Sequence, residues 1–286
     1  MKSILITGVS SGIGLSTAKL FLKRGYLVFG SVRKQADADG LQGELGVNFH
    51  PLIFDVTDLK AIQIAYQDVK AILKDKPLDC LVNNAGVSVN GPMAYIALEE
   101  FSQQLDINVL GLVRVSQTFL PLLGFNNNLP KGKMINISSG AGRVTRPFMA
   151  PYAASKHAVE AISDGFRREL LDFGISVTII EPGPIQSEIW NKAKAESAEQ
   201  INKYKDTPYE RIYAKMDKAV QGMEGAALDA SIVANLIYDI AEGKKTRTRY
   251  LVAPKKWLFW LAIHVFPDKF LDKMFQKQFR NLLQDS

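Results

Sequence analysis

The stretch Ser3-Ile4-Leu5-Ile6-Thr7 runs straight into Gly8-Val9-Ser10-Ser11-Gly12-Ile13-Gly14. The first piece reads as a short apolar strand and the second as a glycine-rich turn. Residues 12–24 then take helical spacing, with Ala18, Phe21 and Leu22 on one side. The same alternation continues along the chain. Strands are expected at 27–32, 49–54, 79–83, 134–138, 176–181 and 250–252. Helices are expected at 59–74, 98–123, 153–173 and 229–241. Strands that are apolar throughout and alternate with helices imply an α/β fold, a parallel sheet covered on both faces. With the opening strand, the count is seven.

A glycine-rich turn between a first strand and a first helix has a specific use. Its glycines permit the tight bend and let a pyrophosphate approach the backbone, while the helix N-terminus supplies free N–H groups and the positive end of its dipole. Gly8, Ser10, Ser11, Gly12, Ile13 and Gly14 are the residues placed to do this. Alone, three glycines at these spacings also fit a plain turn into a helix. A nicotinamide dinucleotide lacking the 2′-phosphate calls for a carboxylate about 20 positions on, at the end of strand two. Here that end reads Gly30-Ser31-Val32-Arg33-Lys34. A guanidinium suits a 2′-phosphate and not a bare hydroxyl, so Arg33 favours NADP(H) over NAD. Arg33 and Lys34 also fit a solvated turn.

Tyr152 and Lys156 stand four apart at the start of an expected helix and so share a face. A free phenol, with a pKa of about 10, is a poor acid–base group at neutral pH. A neighbouring ammonium is expected to lower it, which lets a tyrosine exchange a proton with a substrate oxygen. Such a pair is also common in structural settings. Ser139 follows the fifth strand, thirteen residues before Tyr152. Its hydroxyl is placed to steady charge on a substrate oxygen or, equally, to satisfy turn backbone.

These features together resemble the short-chain dehydrogenase/reductase family, over residues 2–189. The carrying motifs are Thr7–Gly14, Asp55-Val56, Asn83-Asn84-Ala85-Gly86, Asn108 within DINVLG, Ser139, Tyr152, Lys156, and Pro182-Gly183-Pro184-Ile185. The resemblance implies a single doubly wound domain of Rossmann type over 1–286, with a helical cap insertion at 186–225 and C-terminal amphipathic helices at 255–283. It implies a catalytic set of Asn108, Ser139, Tyr152 and Lys156. Tyr152 would exchange the proton. Lys156 would bind the nicotinamide ribose and lower the tyrosine's pKa. Ser139 would position the carbonyl, and Asn108 would hold a water linking Lys156 to solvent. Asp55 and Val56 would border adenine; Asn83, Ala85 and Gly86 would border the cofactor; Pro182, Gly183 and Ile185 would hold the carboxamide. The family often has threonine where this chain reads Ile185-Gln186-Ser187-Glu188, so Ser187 is the expected replacement contact. The implied reaction is hydride transfer between NADP(H) and a carbonyl or secondary alcohol, on a lipophilic small molecule. An epimerase or dehydratase on the same fold, and a non-catalytic NADP-sensing or scaffolding protein, are the other readings. The intact tetrad weighs against the last, and the roughly hundred residues after Ile185 weigh against the first. The resemblance further implies a homo-oligomer through helices 98–123 and 153–173.

Composition bounds the rest. At 286 residues, 47% hydrophobic and 22% charged, the chain has ordinary globular composition and can bury a large core. Cys80 is the only cysteine, so no internal disulfide exists. With no signal-peptide pattern at the N-terminus, a cytoplasmic location is expected. His50, His157 and His264 have no ligand cluster around them, and no metal is expected. Net charge is +6, yet residues 244–280 alone hold ten Lys or Arg and two Asp. The basic character belongs to the tail and is no nucleic-acid signature. There Lys255-Lys256-Trp257-Leu258-Phe259-Trp260-Leu261 opens a basic, aromatic segment. It fits a helix packed on the core or closing the pocket, a peripheral helix on anionic lipid, or an oligomer contact. The longest apolar run, 257–266, is far short of the ~20 residues of a spanning helix.

Overall fold

A computed structural model describes residues 1–186, 202–213, 215, 227–254 and 256–284. Seven strands form one parallel sheet: β1 Ser3–Ile6, β2 Leu27–Val32, β3 Phe49–Ile53, β4 Cys80–Asn83, β5 Lys133–Ile137, β6 Ser176–Pro182 and β7 Arg249–Val252. Their order is β3-β2-β1-β4-β5-β6-β7. The chain reverses direction of winding between β1 and β4, which is where open α/β sheets bind ligands, beyond the strands' carboxyl ends. The expected doubly wound α/β architecture with seven parallel strands is what the chain adopts.

Alternate residues of each strand feed two cores. Ile4, Ile6 and Val28 face α1 (Gly12–Lys23), α2 (Gln35–Leu45) and α7 (Ala230–Ala241). Leu5 and Phe29 face α3 (Leu59–Leu73) and α5 (Gly111–Phe119), with Leu170 at the end of α6 (Ala150–Glu169). Both faces being covered explains why the strands read as continuous apolar runs.

Three differences from the sequence reading have local causes. Helix α2 was not anticipated: it holds two glycines and buries only Ala38 and Leu41, so its periodicity is faint. The long helix expected at 98–123 is α4 (Leu98–Leu105), a π-helical turn (Asp106–Leu110), α5, and a 3-10 turn (Leu120–Leu123) opened by Pro121. Helix α6 starts three residues earlier than expected, with Pro151 in its first turn, where a missing N–H costs nothing. The described part of the tail forms α8 (Lys256–His264) and α9 (Asp268–Gln284). No described helix is long and apolar enough to cross a membrane.

Candidate active site

The glycine turn is built by close packing. Gly8 (φ +72°) and Gly12 (φ +58°) occupy the left-handed region. A Cβ on Gly14 would overlap the Gly8 carbonyl and lie 2.7 Å from Asn84 Nδ2. Asn84 in turn donates through Nδ2 to the carbonyls of Thr7 (2.9 Å) and Gly8 (3.0 Å). Thr7 Oγ1 accepts from the amides of Asn84 and Ala85, both at 2.9 Å. Ser31 Oγ accepts from the Gly8 amide at 3.0 Å. Thr7, Ser31 and Asn84 therefore fix the turn, a role the sequence reading did not assign them; their partners lie 23 to 78 residues away and leave no local pattern.

The Ser11 side chain makes no capping bond to α1, and the first-turn amides of a helix have no intrahelical partner. Arg33 and Lys34 are exposed at the end of β2, Ser10 is exposed in the facing turn, and neither cation has an ion pair among the described residues. Free amides at a helix N-terminus beside unpaired cations are a donor set suited to a pyrophosphate and a further phosphate. Asp55 Oδ1 accepts from the Thr57 amide and hydroxyl, while Val56 is buried against Gly111.

The NNAG segment divides its labour. Asn83 is buried and donates to Ser116 Oγ (2.9 Å) and Asn136 Oδ1 (2.8 Å), and Asn136 donates to Ser163 Oγ (2.8 Å). The Asn83 amide nitrogen ties β4 to α5 and β5, and Asn136 carries the link on to α6. Gly86 leaves the space for Asn108: a Cβ there would stand 3.1 Å from Asn108 Oδ1 and 3.7 Å from Lys156 Nζ.

Asn108, in the π-helical turn, receives the Val87 amide on Oδ1 (2.8 Å) and donates to the Val87 carbonyl (2.8 Å) and Ser155 Oγ (3.0 Å). Ser155 donates to the Tyr152 carbonyl at 2.7 Å. A π-bulge at a functional residue is a recurrent device. Here it brings α4–α5 against α6 beside Tyr152 and Lys156. Ser139 caps the turn Gly140–Gly142, accepting from the Ala141 amide (3.1 Å) and donating at a long 3.4 Å to the Pro182 carbonyl. Pro182, Gly183 and Ile185 leave β6 at the same sheet edge; the Leu228 carbonyl accepts from the Gln186 amide, and the Leu228 amide donates to the Pro184 carbonyl. Ser187 lies outside the described residues. The structure thus gathers Asn108, Ser139, Tyr152 and Lys156 at the carboxyl ends of β4, β5 and β6.

Electrostatics correct one expectation. Lys156 is 5% exposed, donates from Nζ to the Ile137 carbonyl at 2.9 Å, and stands 5.8 Å from the Tyr152 ring centre. The Tyr152 phenol stands above its ordinary pKa. Burial pushes the phenol up, and the hydrogen bond with Ser139 offsets only part of that. Burial pulls Lys156 down to about 8, against the opposing charge of Glu160. At neutral pH the phenol is therefore protonated, the form that can donate.

Two further layers close in. Of the cap expected at 186–225, the described residues include an aromatic group: Phe148 meets Tyr209 and Tyr213 edge-on at 5.6 Å, and Tyr204 meets Tyr213 at 4.5 Å. Phe148 lies four residues before Tyr152. From the other direction α8 presents Phe259, whose Cε1 would be 2.9 Å from a Cβ on Gly140, next to Ser139.

Comparison with known proteins places the chain in a family. Residues 2–198 match the model of the short chain dehydrogenase family. The chain is 45% identical, over the whole of both sequences, to an NADPH-dependent 3-dehydrocapnine reductase from Ornithobacterium rhinotracheale. A short-chain dehydrogenase structure from Streptomyces avermitilis superposes with a TM-score of 0.75 at 25% identity, covering 100% of this chain and 98% of that one. The closed form of a serine dehydrogenase complexed with NADP+ superposes with a TM-score of 0.70 at 25% identity, covering 89% and 95%. The chain belongs to the short-chain dehydrogenase/reductase family.

Proposed function

We propose that the protein reduces a lipophilic ketone or aldehyde with NADPH, Tyr152 giving the proton. The observation that carries this reading is the partly exposed, protonated phenol of Tyr152 beside Ser139, one turn from a lysine pulled down to about 8. NADPH, when bound, supplies the hydride. Its relatives support the choice of cofactor: one is named for NADPH dependence and another was solved with NADP+.

The chain's own residues do the rest. The turn Gly8 to Gly14, with Ser10, Ser11, Gly12 and Ile13, receives the pyrophosphate on backbone amides. Arg33 takes the 2′-phosphate. Asp55 and Val56 border the adenine, Ala85 and Gly86 leave room beside the ribose, and Pro182, Gly183, Ile185 and Ser187 hold the carboxamide end. Asn83 serves by shaping β4. Ser139, whose own hydrogen is only loosely held, donates to the substrate oxygen and steadies its developing charge. Tyr152 delivers its proton to that oxygen, and Lys156, close to half-protonated just above neutrality, resupplies it. Asn108 spends its side-chain amide on Val87 and Ser155, so its contribution to a proton path is to hold that passage open. The aromatic group at Phe148, Tyr209 and Tyr213 and the tail helix beside Gly140 favour an apolar substrate. A homo-oligomer through α4–α5 and α6, and a peripheral membrane contact through the tail, belong to the same reading.

The test is turnover by purified protein with NADPH and NADH across ketones and aldehydes of increasing chain length, with Tyr152→Phe alongside. The reading expects NADPH oxidation that rises with chain length and falls on the order of 100-fold or more in the variant. NADPH binding without turnover on any carbonyl overturns it in favour of a sensing protein.

A further inference from the structure

Helices α8 and α9 stand apart from the rest of the surface. Helix α8 buries none of its residues. Trp257 is 64% exposed and Trp260 55%, with Leu258, Val265, Phe270 and Met274 also exposed. Soluble surfaces seldom gather so many large apolar side chains in one place without a partner. On α9, at 100° per residue, Phe270, Leu271, Met274 and Phe275 fall on one arc, and Lys269, Lys273, Lys277 and Arg280 fall on the arc beside it. Asp268 and Asp272 fall on the other flank of the apolar arc, beyond Phe275. Lys256, Lys269, Lys273, Lys277 and Arg280 are all exposed, and none has an ion pair among the described residues.

We infer that these two tail helices dock on an anionic lipid bilayer, Trp257 and Trp260 entering the boundary between headgroups and acyl chains while the flanking cations meet lipid phosphates. Charge decides among the occupants. Residues 256–280 carry five cations against two anions, so a second copy would set like charge against like. A free polyanion would satisfy the cations but leave two tryptophans, a leucine, a valine and a methionine in water. A membrane of anionic lipid offers phosphates and an apolar boundary in one surface, which is what an amphipathic interfacial helix with aromatic and basic residues requires. Neither helix has the length to span it.

The inference rests on, and deepens, the reductase reading. The inward side of the same α8 carries Phe259 against Gly140, the neighbour of Ser139. Docking through α8 sets the approach to Ser139 and Tyr152 at the lipid surface, so a lipid-borne carbonyl compound reaches them without crossing bulk water.

The test is co-sedimentation of the full chain with vesicles of phosphatidylcholine alone and of phosphatidylcholine mixed with phosphatidylglycerol, read without turnover. The expected result is binding to the mixed vesicles, released by high salt, with a blue shift of tryptophan emission. Trp257→Ser with Trp260→Ser, and separately Lys269→Glu with Lys273→Glu and Lys277→Glu, each weaken it by on the order of 10-fold or more. Both variants keep turnover on a short water-soluble ketone, which also shows that they fold. Absence of binding to mixed vesicles, or equal binding to neutral ones that survives the charge reversal, overturns the proposal. A concentration-dependent doubling of mass abolished by Trp257→Ser overturns it in favour of self-association. Vesicle binding by a chain that turns over nothing would overturn the reductase reading and leave the docking surface standing.

Discussion

Arg249 on β7 reaches Glu160 on α6 at 2.9 Å, one helical turn beyond Lys156. The same guanidinium bonds Asp164 at 2.9 Å and lies 3.7 Å from Glu181, which Arg143 holds at 3.1 Å. Glu181 precedes Pro182, the acceptor of the Ser139 hydroxyl. One edge-strand arginine thus ties together the segments that carry Ser139, Pro182 and the Tyr152–Lys156 helix. Glu160 and Glu181 are almost fully buried, and burial followed by the charge of Glu160 already pushes the Glu181 carboxyl up. Removing the cation leaves Glu160 desolvated and without its ion pair, beside a Glu181 that keeps only Arg143. Arg249→Met is expected to cost about 2–3 kcal/mol at pH 7, at the lower end for a broken buried pair because the guanidinium is partly exposed. Urea unfolding measures this, and adding Glu160→Gln and Glu181→Gln recovers most of the loss.

Lys156 gives a stability prediction with a defined sign. Its folded pKa is about 8 against an ordinary 10.5, so between those values the unfolded chain binds more protons and stability rises with pH. The cost of holding a buried ammonium is fully present below about pH 8 and fades toward 10.5. Lys156→Met removes it. The variant is expected to be more stable than the parent at pH 7 by about 1–3 kcal/mol, and the gap to close by pH 10 to 11. Urea midpoints at pH 7 and pH 10.5 read this directly, and a gap that does not change with pH would falsify the assignment. Turnover falls in the same variant, the usual exchange of stability for function at a site.

How much of this could be read beforehand depended on range. Strands such as Ile4-Leu5-Ile6 and the turn Gly8 to Gly14 declare themselves locally, because apolar runs and left-handed turns need particular residue types in sequence. Helix α2 did not, since Gly40 and Gly43 interrupt a stripe that buries only Ala38 and Leu41. The π-helical turn at Asp106–Leu110 is set by the fit of Asn108 between Val87 and Ser155, which no periodicity encodes. The positions of Ser139, Tyr152 and Lys156 followed from spacing and family likeness. The direction of the Tyr152 pKa did not, because it turns on burial, and burial is a tertiary property. Thr7, Asn84 and Arg249 act through partners 68 to 89 residues away.

Gly14 tests the glycine turn as packing. An added methyl would overlap the Gly8 carbonyl and press on Asn84 Nδ2, and both belong to the network that seats the turn on β4. The Gly8 carbonyl cannot yield without moving the turn, nor can Asn84 Nδ2 without loosening its bonds to Thr7 and Gly8. Gly14→Ala is expected to cost about 2–3 kcal/mol, as for overpacking a filled site, and to abolish measurable NADPH binding. Thermal unfolding and an NADPH fluorescence titration check the two effects separately.

The last prediction concerns cofactor choice. Arg33 is exposed, without an ion pair among the described residues, at the end of β2 opposite Ser10. A charge-assisted hydrogen bond to a phosphate contributes about 1.5–3 kcal/mol, so losing it should cost NADPH roughly 10-fold to 100-fold in kcat/KM. NADH makes no such contact and should lose little. Arg33→Asp should go further, because a carboxylate repels the 2′-phosphate and accepts from a 2′-hydroxyl. Steady-state kinetics with both cofactors, on one substrate at saturation, measure the ratio. A parallel loss for NADH and NADPH in Arg33→Ala would mean that Arg33 acts on the fold of the turn and that another group reads the 2′-phosphate, with Lys34 the next cation to replace.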